Sequence, residues 1–313
     1  MPRVSVIIPT YNCARFLDRT IKSALVQTFK DREIIIVDDG STDDTKSVLA
    51  HYDGLVHYVY QPNRGASAAR NLACSKASGE LLAYLDADDM WYPEKLEKEV
   101  AFLDAHPECG LVHTEISVIN EQDEILHHRF NHETQRPIPQ GYCLLHLLRR
   151  SHIQTLTVVE RRTCIDRVGN FDETLPIAQD YMHWILIALE GMAVGYLPEP
   201  LGMYRWRKAS LMTNQRRLCE DYEQIYQVLL KKKCVGLRFG HEAVKVISDQ
   251  LYTVRRELAY LDRIEGRRGD SLRRALHSLK EWPSRPQLYV DLLKACIPSQ
   301  IVAKLRPSWK PEV

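Results

Sequence analysis

Two aspartates separated by one residue give this sequence its clearest pattern for binding chemistry. Asp86 and Asp88 lie in the segment Leu-Asp-Ala-Asp-Asp. Alternate residues of an extended segment share one face, so the two carboxylates point the same way. Hard divalent cations prefer such oxygen ligands and can bridge them to phosphate oxygens. The pair therefore predicts a site for Mn²⁺ or Mg²⁺, although the same pattern also occurs in solvated turns.

A second polar group follows the first apolar runs of the chain. Pro9, Tyr11 and Asn12 lie where a planar base could rest against the backbone, and Tyr11 could stack on it. Asp39 could accept a hydrogen bond from a ring N–H of such a base. The alternative is structural, because Asp39 and its neighbour could instead cap a helix together with Ser41.

Arg70 is the basic residue best placed to join these groups. It lies in the segment Gly-Ala-Ser-Ala-Ala-Arg-Asn, whose small residues allow the backbone to approach a ligand. Its guanidinium could bind a base or a phosphate. The alternative is a salt bridge to one of the aspartates that follow the strands.

The elements that must position these residues alternate between short β-branched runs and helical patterns. Strands separated by single helices predict an α/β fold, a Rossmann-like, mostly parallel sheet with helices on both faces. Ligands bind such sheets at the carboxyl ends of the strands, where all of the polar groups above are expected. The predicted strands are 4–8, 33–37, 56–60, 81–85, 110–119 and 155–160.

Two domains are expected, a catalytic domain at 1–213 and a helical region at 214–313 that serves packing, oligomerisation or membrane association. The net charge of +1 argues against nucleic acid as a partner. The eight scattered cysteines suit reduced thiols in a cytoplasmic protein. No apolar run reaches the roughly 18 residues of a membrane span.

Five segments in order carry a likeness to a known family. They are VSVIIPTYNCARFLDRTIKSALVQT, IIIVDDGSTDDT, QPNRGASAARN, LAYLDADD and VGNFDETLPIAQDYMHW. Together they resemble the family-2 inverting glycosyltransferases with the GT-A fold, over roughly residues 3–210. VDDGSTDDT followed at this distance by LDADD is far more specific than either piece alone.

The resemblance implies a role for each matching residue. Asp88 would bind the metal directly, Asp86 would contact the ribose or a water of the metal, and Asp39 would recognise the base. Asp180, in Gln179-Asp180-Tyr181, would be the general base for the acceptor hydroxyl. The alternative for Asp180 is a helix cap.

One position departs from the family pattern. The family commonly reads Tyr-Arg-x-His where this chain has Tyr204-Arg205-Trp206-Arg207. Arginine cannot ligate a cation but binds phosphate bidentately, so we expect Arg207 to contact the leaving diphosphate and to replace part of the metal's charge. The QxxRW pattern of processive synthases is also missing, which favours addition of a single sugar.

These implications converge on a metal-dependent, inverting glycosyltransferase. The expected partners are a nucleotide-sugar donor, by default a UDP-sugar, and a saccharide or lipid-linked saccharide acceptor from surface polysaccharide assembly. A protein that binds sugar nucleotides without catalysis is the alternative. A nucleotidyltransferase or an oxidoreductase would need a glycine-rich loop after the first strand, which PTYN lacks.

The last 34 residues contain an amphipathic segment. Its apolar residues are Leu288, Leu292, Leu293 and Ile297, beside Lys294, Lys304 and Arg306, with Trp282 and Trp309 at its flanks. Such a segment could dock on the inner face of a cell membrane, pack on the catalytic domain or join two subunits.

Overall fold

A computed structural model of the chain describes residues 1–135, 138–207 and 214–295. The chain divides into two compact units, Met1–Ala209 and Ser210–Val313. The first unit combines strands and helices, whereas the described part of the second is helical. The α/β class and the helical C-terminal region predicted from the sequence are confirmed.

One sheet forms the centre of the first unit. Its strands are β1 Val4–Thr10, β2 Arg32–Asp38, β3 His57–Tyr60, β4 Leu81–Tyr84, β5 Met90–Trp91, β6 Cys109–Ile119, β7 Ile125–His127, β8 Val159–Arg161 and β9 Ala193–Arg205. Their order is β3-β2-β1-β4-β8-β6-β9-β5, and β7 pairs with β6.

Helices connect these strands. They are α1 Ala14–Leu25, α2 Thr45–Ala50, α3 Ala66–Lys76, α4 Lys95–Ala105, α5 Phe130–Glu133, α6 Leu144–Arg149, α7 Arg162–Val168 and α8 Gln179–Leu189. The second unit contains α9 Gln215–Lys231, α10 Lys233–Ile264, α11 Arg268–Glu281 and α12 Pro286–Ala295. Within the described ranges, no helix is both long enough and apolar enough to span a bilayer.

The parallel part of the sheet is β3-β2-β1-β4, with a second parallel pair between β6 and β9. Strands β1 and β4 are buried along their whole length, as continuous apolar runs in parallel sheets usually are. Strand β8 joins the two parts by pairing antiparallel with both β4 and β6. The chain enters the sheet at β8 in the direction opposite to β4 and β6, and the apolar pattern of the sequence does not reveal strand direction.

The predicted strand at 155–160 is only partly correct. Thr155–Thr157 form a 3₁₀ turn, and the strand begins at Val159. The turn is buried, so its apolar and β-branched residues reflect core packing rather than strand pairing. Its position matters because Thr155 faces the candidate site.

Helix α4 carries a fully buried ion pair against the core. Lys95 and Glu99 both have no exposed side-chain surface and form a salt bridge one helical turn apart. The Lys95 ammonium also lies 4.5 Å from the centre of the Trp91 ring. Burial lowers the pKa of Lys95 and raises the pKa of Glu99 to about 7, so each charge depends on the other.

We predict that Lys95→Met destabilises the protein by about 3 kcal/mol, because it leaves Glu99 buried without a partner. The loss should increase with pH. Glu99 then keeps a raised pKa in the folded state, so folding becomes less favourable as the carboxyl ionises above the unfolded value of about 4.5. Urea denaturation at pH 6 and pH 8 measures both effects.

The double variant Lys95→Met/Glu99→Leu is the control, since it removes both charges while retaining bulk. It should recover most of the lost stability. A single variant as stable as the wild type at both pH values would contradict the prediction.

Candidate active site

The polar residues singled out in the sequence converge at one edge of the sheet. Thr10 at the end of β1 pairs with Asp38 at the end of β2, and Asp38 pairs with Tyr60 at the end of β3. Because β1, β2, β3 and β4 are parallel, the loops that follow them all emerge at this edge. The register of these strands therefore brings the loops that carry the polar residues together at one end of the sheet.

The two aspartates after β2 have their carboxylates engaged by the protein. Ser41 N–H donates to Asp38 Oδ1 at 2.9 Å within the loop after β2, and neither aspartate caps α2, whose N-cap residue is Asp44. Asp39 Oδ1 accepts from the Gln61 side chain at 2.6 Å, and its Oδ2 accepts from Gly65 N–H at 2.8 Å. Both aspartates are 2% exposed. Asp38 thus fixes the loop after β2, and Asp39 fixes the loop that leads into α3. Base recognition by Asp39 stays a prediction.

The residues after β1 differ in how far they reach the surface. Pro9 is buried, whereas Tyr11 is 51% exposed and free to stack on a planar ligand. Asn12 has a φ of +48° and its side-chain oxygen accepts from Thr42 N–H at 2.7 Å. Asn12 N–H in turn donates to the Ser41 hydroxyl at 2.9 Å. Asn12 therefore ties the loop after β1 to the loop after β2.

Arg70 lies beneath the cleft with its guanidinium almost entirely buried. It projects from α3 and donates to Asp86 at 3.0 Å, which is the salt bridge the sequence left open. Its guanidinium also lies 5.1 Å from the centre of the Phe171 ring. Nε and Nη1 of Arg70 are buried and have no hydrogen-bond partner among the described residues. Unpaired buried donors are costly, and a ligand oxygen would satisfy them.

A tight turn after β4 holds three carboxylates in four residues. Asp89 N–H donates to the Asp86 carbonyl at 3.1 Å. The Thr20 hydroxyl of α1 lies 2.9 Å and 2.8 Å from the carbonyl oxygens of Ala87 and Asp89. Burial raises the pKa of Asp88, and the neighbouring Asp86 raises it further. Burial and the charge of Asp88 raise the pKa of Asp89 well above its usual range.

Arg205, at the end of β9, holds this turn in place. Its Nε donates to the Asp88 carbonyl at 2.6 Å, and its Nη1 donates to the Asn120 carbonyl at 2.8 Å. Its backbone N–H donates to Asp89 at 2.7 Å. The guanidinium lies 4.8 Å from the centre of the Phe16 ring, and Arg205 is 2% exposed. Arg205 thus joins the carboxylate turn to β9 and to the end of β6.

Arg207 contacts the Asp88 carboxylate directly through Nη2. It also lies over Phe16, 5.5 Å from the ring centre. Its positive charge lowers the pKa of Asp88 and so opposes the effect of burial. The Asp88 carboxylate therefore already has a cationic partner in the guanidinium of Arg207.

The carboxylates at this turn fit a divalent cation in their chemistry. Asp86 and Asp88 supply hard oxygen donors, and both retain partly exposed side chains at the cleft. In the part of the chain that the structure describes, no three His, Cys, Asp or Glu side chains converge to bind a metal ion. A metal here would thus take its remaining ligands from bound phosphate or water. Arg207 would have to release Asp88 for direct coordination.

Asp180 lies in the first turn of α8, one residue after Gln179, and keeps a small exposed fraction. Its Oδ2 accepts from the Thr155 hydroxyl at 2.6 Å, and its Oδ1 accepts from Tyr181 N–H at 2.6 Å. Burial raises the pKa of Asp180, whereas the Thr155 hydrogen bond and the charge of Arg70 lower it. The charge of Asp86 adds a smaller upward contribution. A carboxylate with a raised pKa that is held by hydrogen bonds at the edge of a cleft is suited to accept a proton.

Several of these contributors were missed in the sequence. Thr155 lies in a segment that patterning assigned to a strand, and Phe16 belongs to the apolar face of α1. Arg205 could have been found, because it immediately precedes the departure at Trp206-Arg207. Trp184, one helical turn after Asp180, is completely buried and belongs to the core.

The amino-acid sequence matches known proteins over most of the first unit. The sequence profile of Glycosyl transferase family 2 matches residues 5–160. The putative teichuronic acid biosynthesis glycosyltransferase TuaG of Bacillus subtilis is 32% identical over 256 residues, covering 78% of this chain and 97% of TuaG. An uncharacterized glycosyltransferase of Rickettsia typhi is 31% identical, covering 74% of this chain and 72% of its own length.

Solved structures share the fold at lower identity. A crystal structure of S. aureus TarS 1–349 has a TM-score of 0.64 at 18% identity, covering 99% of this chain and 93% of that one. The same TarS fragment has also been solved with UDP and with UDP-GlcNAc. The mannosyltransferase PcManGT of Pyrobaculum calidifontis, in complex with GDP-Man and Mn²⁺, has a TM-score of 0.59 at 19% identity, covering 99% of this chain and 88% of that one.

We predict that Arg205→Lys lowers the free energy of unfolding by about 2 to 3 kcal/mol. Lysine keeps the charge but cannot present the planar fork that reaches two carbonyl groups at once, so buried acceptors lose their donors. Urea denaturation measures the change.

Arg15→Lys is the matched control, because Arg15 lies on the surface and pairs with Glu121 at 2.7 Å. Its effect should stay within about 0.5 kcal/mol. Equal stability of the two variants would show that Arg205 does not hold the carboxylate turn.

Proposed function

The chain belongs to glycosyl transferase family 2, and we propose that it moves one sugar from a nucleoside diphosphate donor to an acceptor hydroxyl, with inversion at the anomeric carbon. The observation that carries the proposal is Arg70. This buried guanidinium pairs with Asp86, and its charge also acts on Asp180. Its Nε and Nη1 nitrogens have no hydrogen-bond partner among the described residues, which favours an anionic ligand between the carboxylate turn and Asp180.

We take a uridine diphosphate sugar as the default donor. Tyr11 is exposed at the end of β1 and offers a surface for the base. Pro9, Asn12 and Asp39 shape the adjoining loops. The carboxylate of Asp39 accepts from Gln61, Arg64 and Gly65, and a lone pair of its Oδ2 remains for a ring N–H. The UDP complexes of TarS support this choice by analogy of fold.

Asp88 is the proposed ligand of a Mn²⁺ or Mg²⁺ ion, with Asp86 on the ribose or on a water of the metal. When bound, such an ion would neutralise negative charge on the diphosphate leaving group. Arg207 now balances the charge of Asp88 through its guanidinium. When the donor binds, Arg207 would turn to the phosphate oxygens and stabilise the charge that builds up there.

Asp180 is the proposed general base. It would take the proton of the acceptor hydroxyl as that oxygen bonds to the anomeric carbon and the bond to the diphosphate breaks. Attack from the side opposite the leaving group inverts the configuration. Thr155 holds the carboxylate through its hydroxyl and keeps the pKa of Asp180 lower than burial alone would allow.

The acceptor is proposed to be a saccharide or lipid-linked saccharide of surface polysaccharide assembly. This rests on the similarity to TuaG and on the absence of QxxRW in the sequence. The alternative is a protein that binds sugar nucleotides but has lost catalysis. The position of Asp180 favours the enzyme, because its carboxylate keeps an exposed fraction and accepts a hydrogen bond from Thr155, so an acceptor hydroxyl could reach it.

We predict that one nucleoside diphosphate, UDP by default, raises the melting temperature by about 5 °C when Mn²⁺ is present at saturating concentration. The shift should disappear in Asp88→Asn, which loses the anionic metal ligand but keeps its shape. Thermal melting with UDP, TDP, GDP and CDP, with and without Mn²⁺, identifies the base and the metal requirement together.

Arg207→Ala tests the second cation in the same assay. It should reduce the shift that UDP and Mn²⁺ produce together, because the guanidinium no longer shares the charge of the diphosphate with the metal. If Arg207→Ala changes neither turnover nor the metal requirement, Arg207 does not share the charge of the leaving group.

We predict that Asp180→Asn lowers kcat by about a thousandfold while the nucleotide-dependent shift in melting temperature remains.

Thr155→Val should leave the enzyme active but move the acid limb of its kcat/KM profile to higher pH. The reason is that Asp180 is active when ionised, and loss of the Thr155 donor raises the pKa of Asp180.

Thr155→Ser is the matched control, since it retains the hydroxyl and should restore the wild-type profile. Nucleotide binding without hydrolysis or transfer by the wild type, over a broad acceptor panel, would support the non-catalytic alternative. An unchanged pH profile in Thr155→Val would remove Thr155 from the proposed mechanism.

A further inference from the structure

The two units of this chain carry opposite charge. Met1–Ala209 contains 22 Lys and Arg against 29 Asp and Glu, hence a net formal charge of −7. Ser210–Val313 contains 20 Lys and Arg against 12 Asp and Glu, hence +8. The net charge of the whole chain conceals this division. A basic unit favours an anionic partner.

Helices α11 and α12 both pack on α10 and on each other. The Ser271 hydroxyl of α11 donates to the Ala259 carbonyl of α10 at 2.8 Å. Arg256 of α10 pairs with the buried Asp291 of α12 at 2.5 Å. Each helix thus turns its buried residues towards its neighbours in this unit, which leaves the opposite side of each helix exposed.

The outer sides of these helices expose five large apolar side chains. Leu272 and Leu276 of α11 are 38% and 45% exposed. Tyr289, Val290 and Leu293 of α12 are 52%, 41% and 69% exposed. We name these five residues the outer face. They differ from the stripe expected from the sequence, since Leu288 is buried and Ile297 lies outside the described residues.

Basic residues border the outer face. Arg268, Leu272, Leu276 and Lys280 follow one another at four-residue steps, so two leucines lie between two cations on one side of α11. Arg268 and Lys280 have no acidic partner among residues 214–295.

The acidic residues beside the outer face each have a basic partner. Asp270 pairs with Arg273, and Glu281 pairs with Arg255 at 2.7 Å and with His277 at 3.3 Å. The charge that the outer face offers to a partner is therefore positive.

We propose that the outer face of α11 and α12 docks on an anionic lipid surface. Leu272, Leu276 and Leu293 would enter the boundary between headgroups and acyl chains, and Arg268 and Lys280 would contact lipid phosphates. A second copy of this face is a poor partner, because two-fold pairing brings the same positive charges together. Nucleic acid would match the charge but would leave the apolar side chains exposed to water.

This inference goes beyond the proposed function, and its test needs neither donor nor acceptor. Full-length protein is sedimented with vesicles of phosphatidylglycerol and phosphatidylcholine, and with vesicles of pure phosphatidylcholine. We expect binding to the anionic vesicles that falls with added salt, and little binding to the neutral ones.

Two variants test the outer face. Leu276→Ser/Leu293→Ser removes apolar surface, and Arg268→Glu/Lys280→Glu reverses charge. Each should weaken binding to the anionic vesicles by about tenfold or more. Thermal melting checks that both remain folded.

Matched controls come from exposed positions in the first unit. Leu55→Ser and Lys46→Glu change the same residue types and should bind vesicles as the wild type does. Binding of either outer-face variant at the wild-type level overturns the proposal, as does equal binding of the wild type to neutral vesicles. Loss of a dimer in Leu276→Ser/Leu293→Ser, with vesicle binding unchanged, would assign the face to self-association instead.

Discussion

The removal of carboxylates from water at the carboxyl ends of β1, β2 and β4 is the constraint on which the site depends. Several aspartates converge there because parallel strands end at a common edge. A buried anion is tolerated only when hydrogen bonds or a cation replace the lost water. Each carboxylate must therefore have its own set of donors, and most of those donors come from segments distant in sequence. The carboxylates in question are those of Asp38, Asp39, Asp86, Asp88, Asp89 and Asp180.

Five of these carboxylates, all except Asp180, fall into two classes according to their hydrogen-bond donors. Asp38, Asp39 and Asp89 bind backbone N–H groups and are nearly inaccessible, so they shape loops. Asp86 and Asp88 are partly exposed and are balanced instead by side-chain guanidinium groups, those of Arg70 and Arg207. A guanidinium partner can be exchanged for a metal ion or a phosphate, whereas a backbone donor cannot be released without refolding the loop. Asp86 and Asp88 are therefore the carboxylates of these five that are suited to bind a ligand.

Aromatic rings take part in the same balance. Phe16 lies below the guanidinium groups of both Arg205 and Arg207, and Phe171 lies below that of Arg70. A ring face attracts a cation without removing its N–H donors from use. The arginines are thus held in place while their edges stay available to carbonyl groups, carboxylates or a ligand. This arrangement explains why apolar residues of α1 and of the loop before α8 belong to the site.

The sequence by itself determined the α/β class, the family and the identity of most residues at the cleft. These follow from local information, since strand ends, apolar periodicity and the spacing in VDDGSTDDT and LDADD are readable over short windows. The tertiary structure decided which partner each residue has. It bonded Asp39 to Gln61 and Gly65, and it turned Thr155 from a presumed strand residue into the hydrogen-bond donor of Asp180.

The same distinction applies to the second unit. Helical periodicity in the sequence identified an amphipathic segment near the C-terminus, but Leu288 proved buried while Leu293 is exposed. Two apolar sides of one helix look alike in a sequence, and contact with α10 decides which of them is covered. Local patterns record what a residue can do, whereas burial and pairing depend on residues many positions away that only folding brings near.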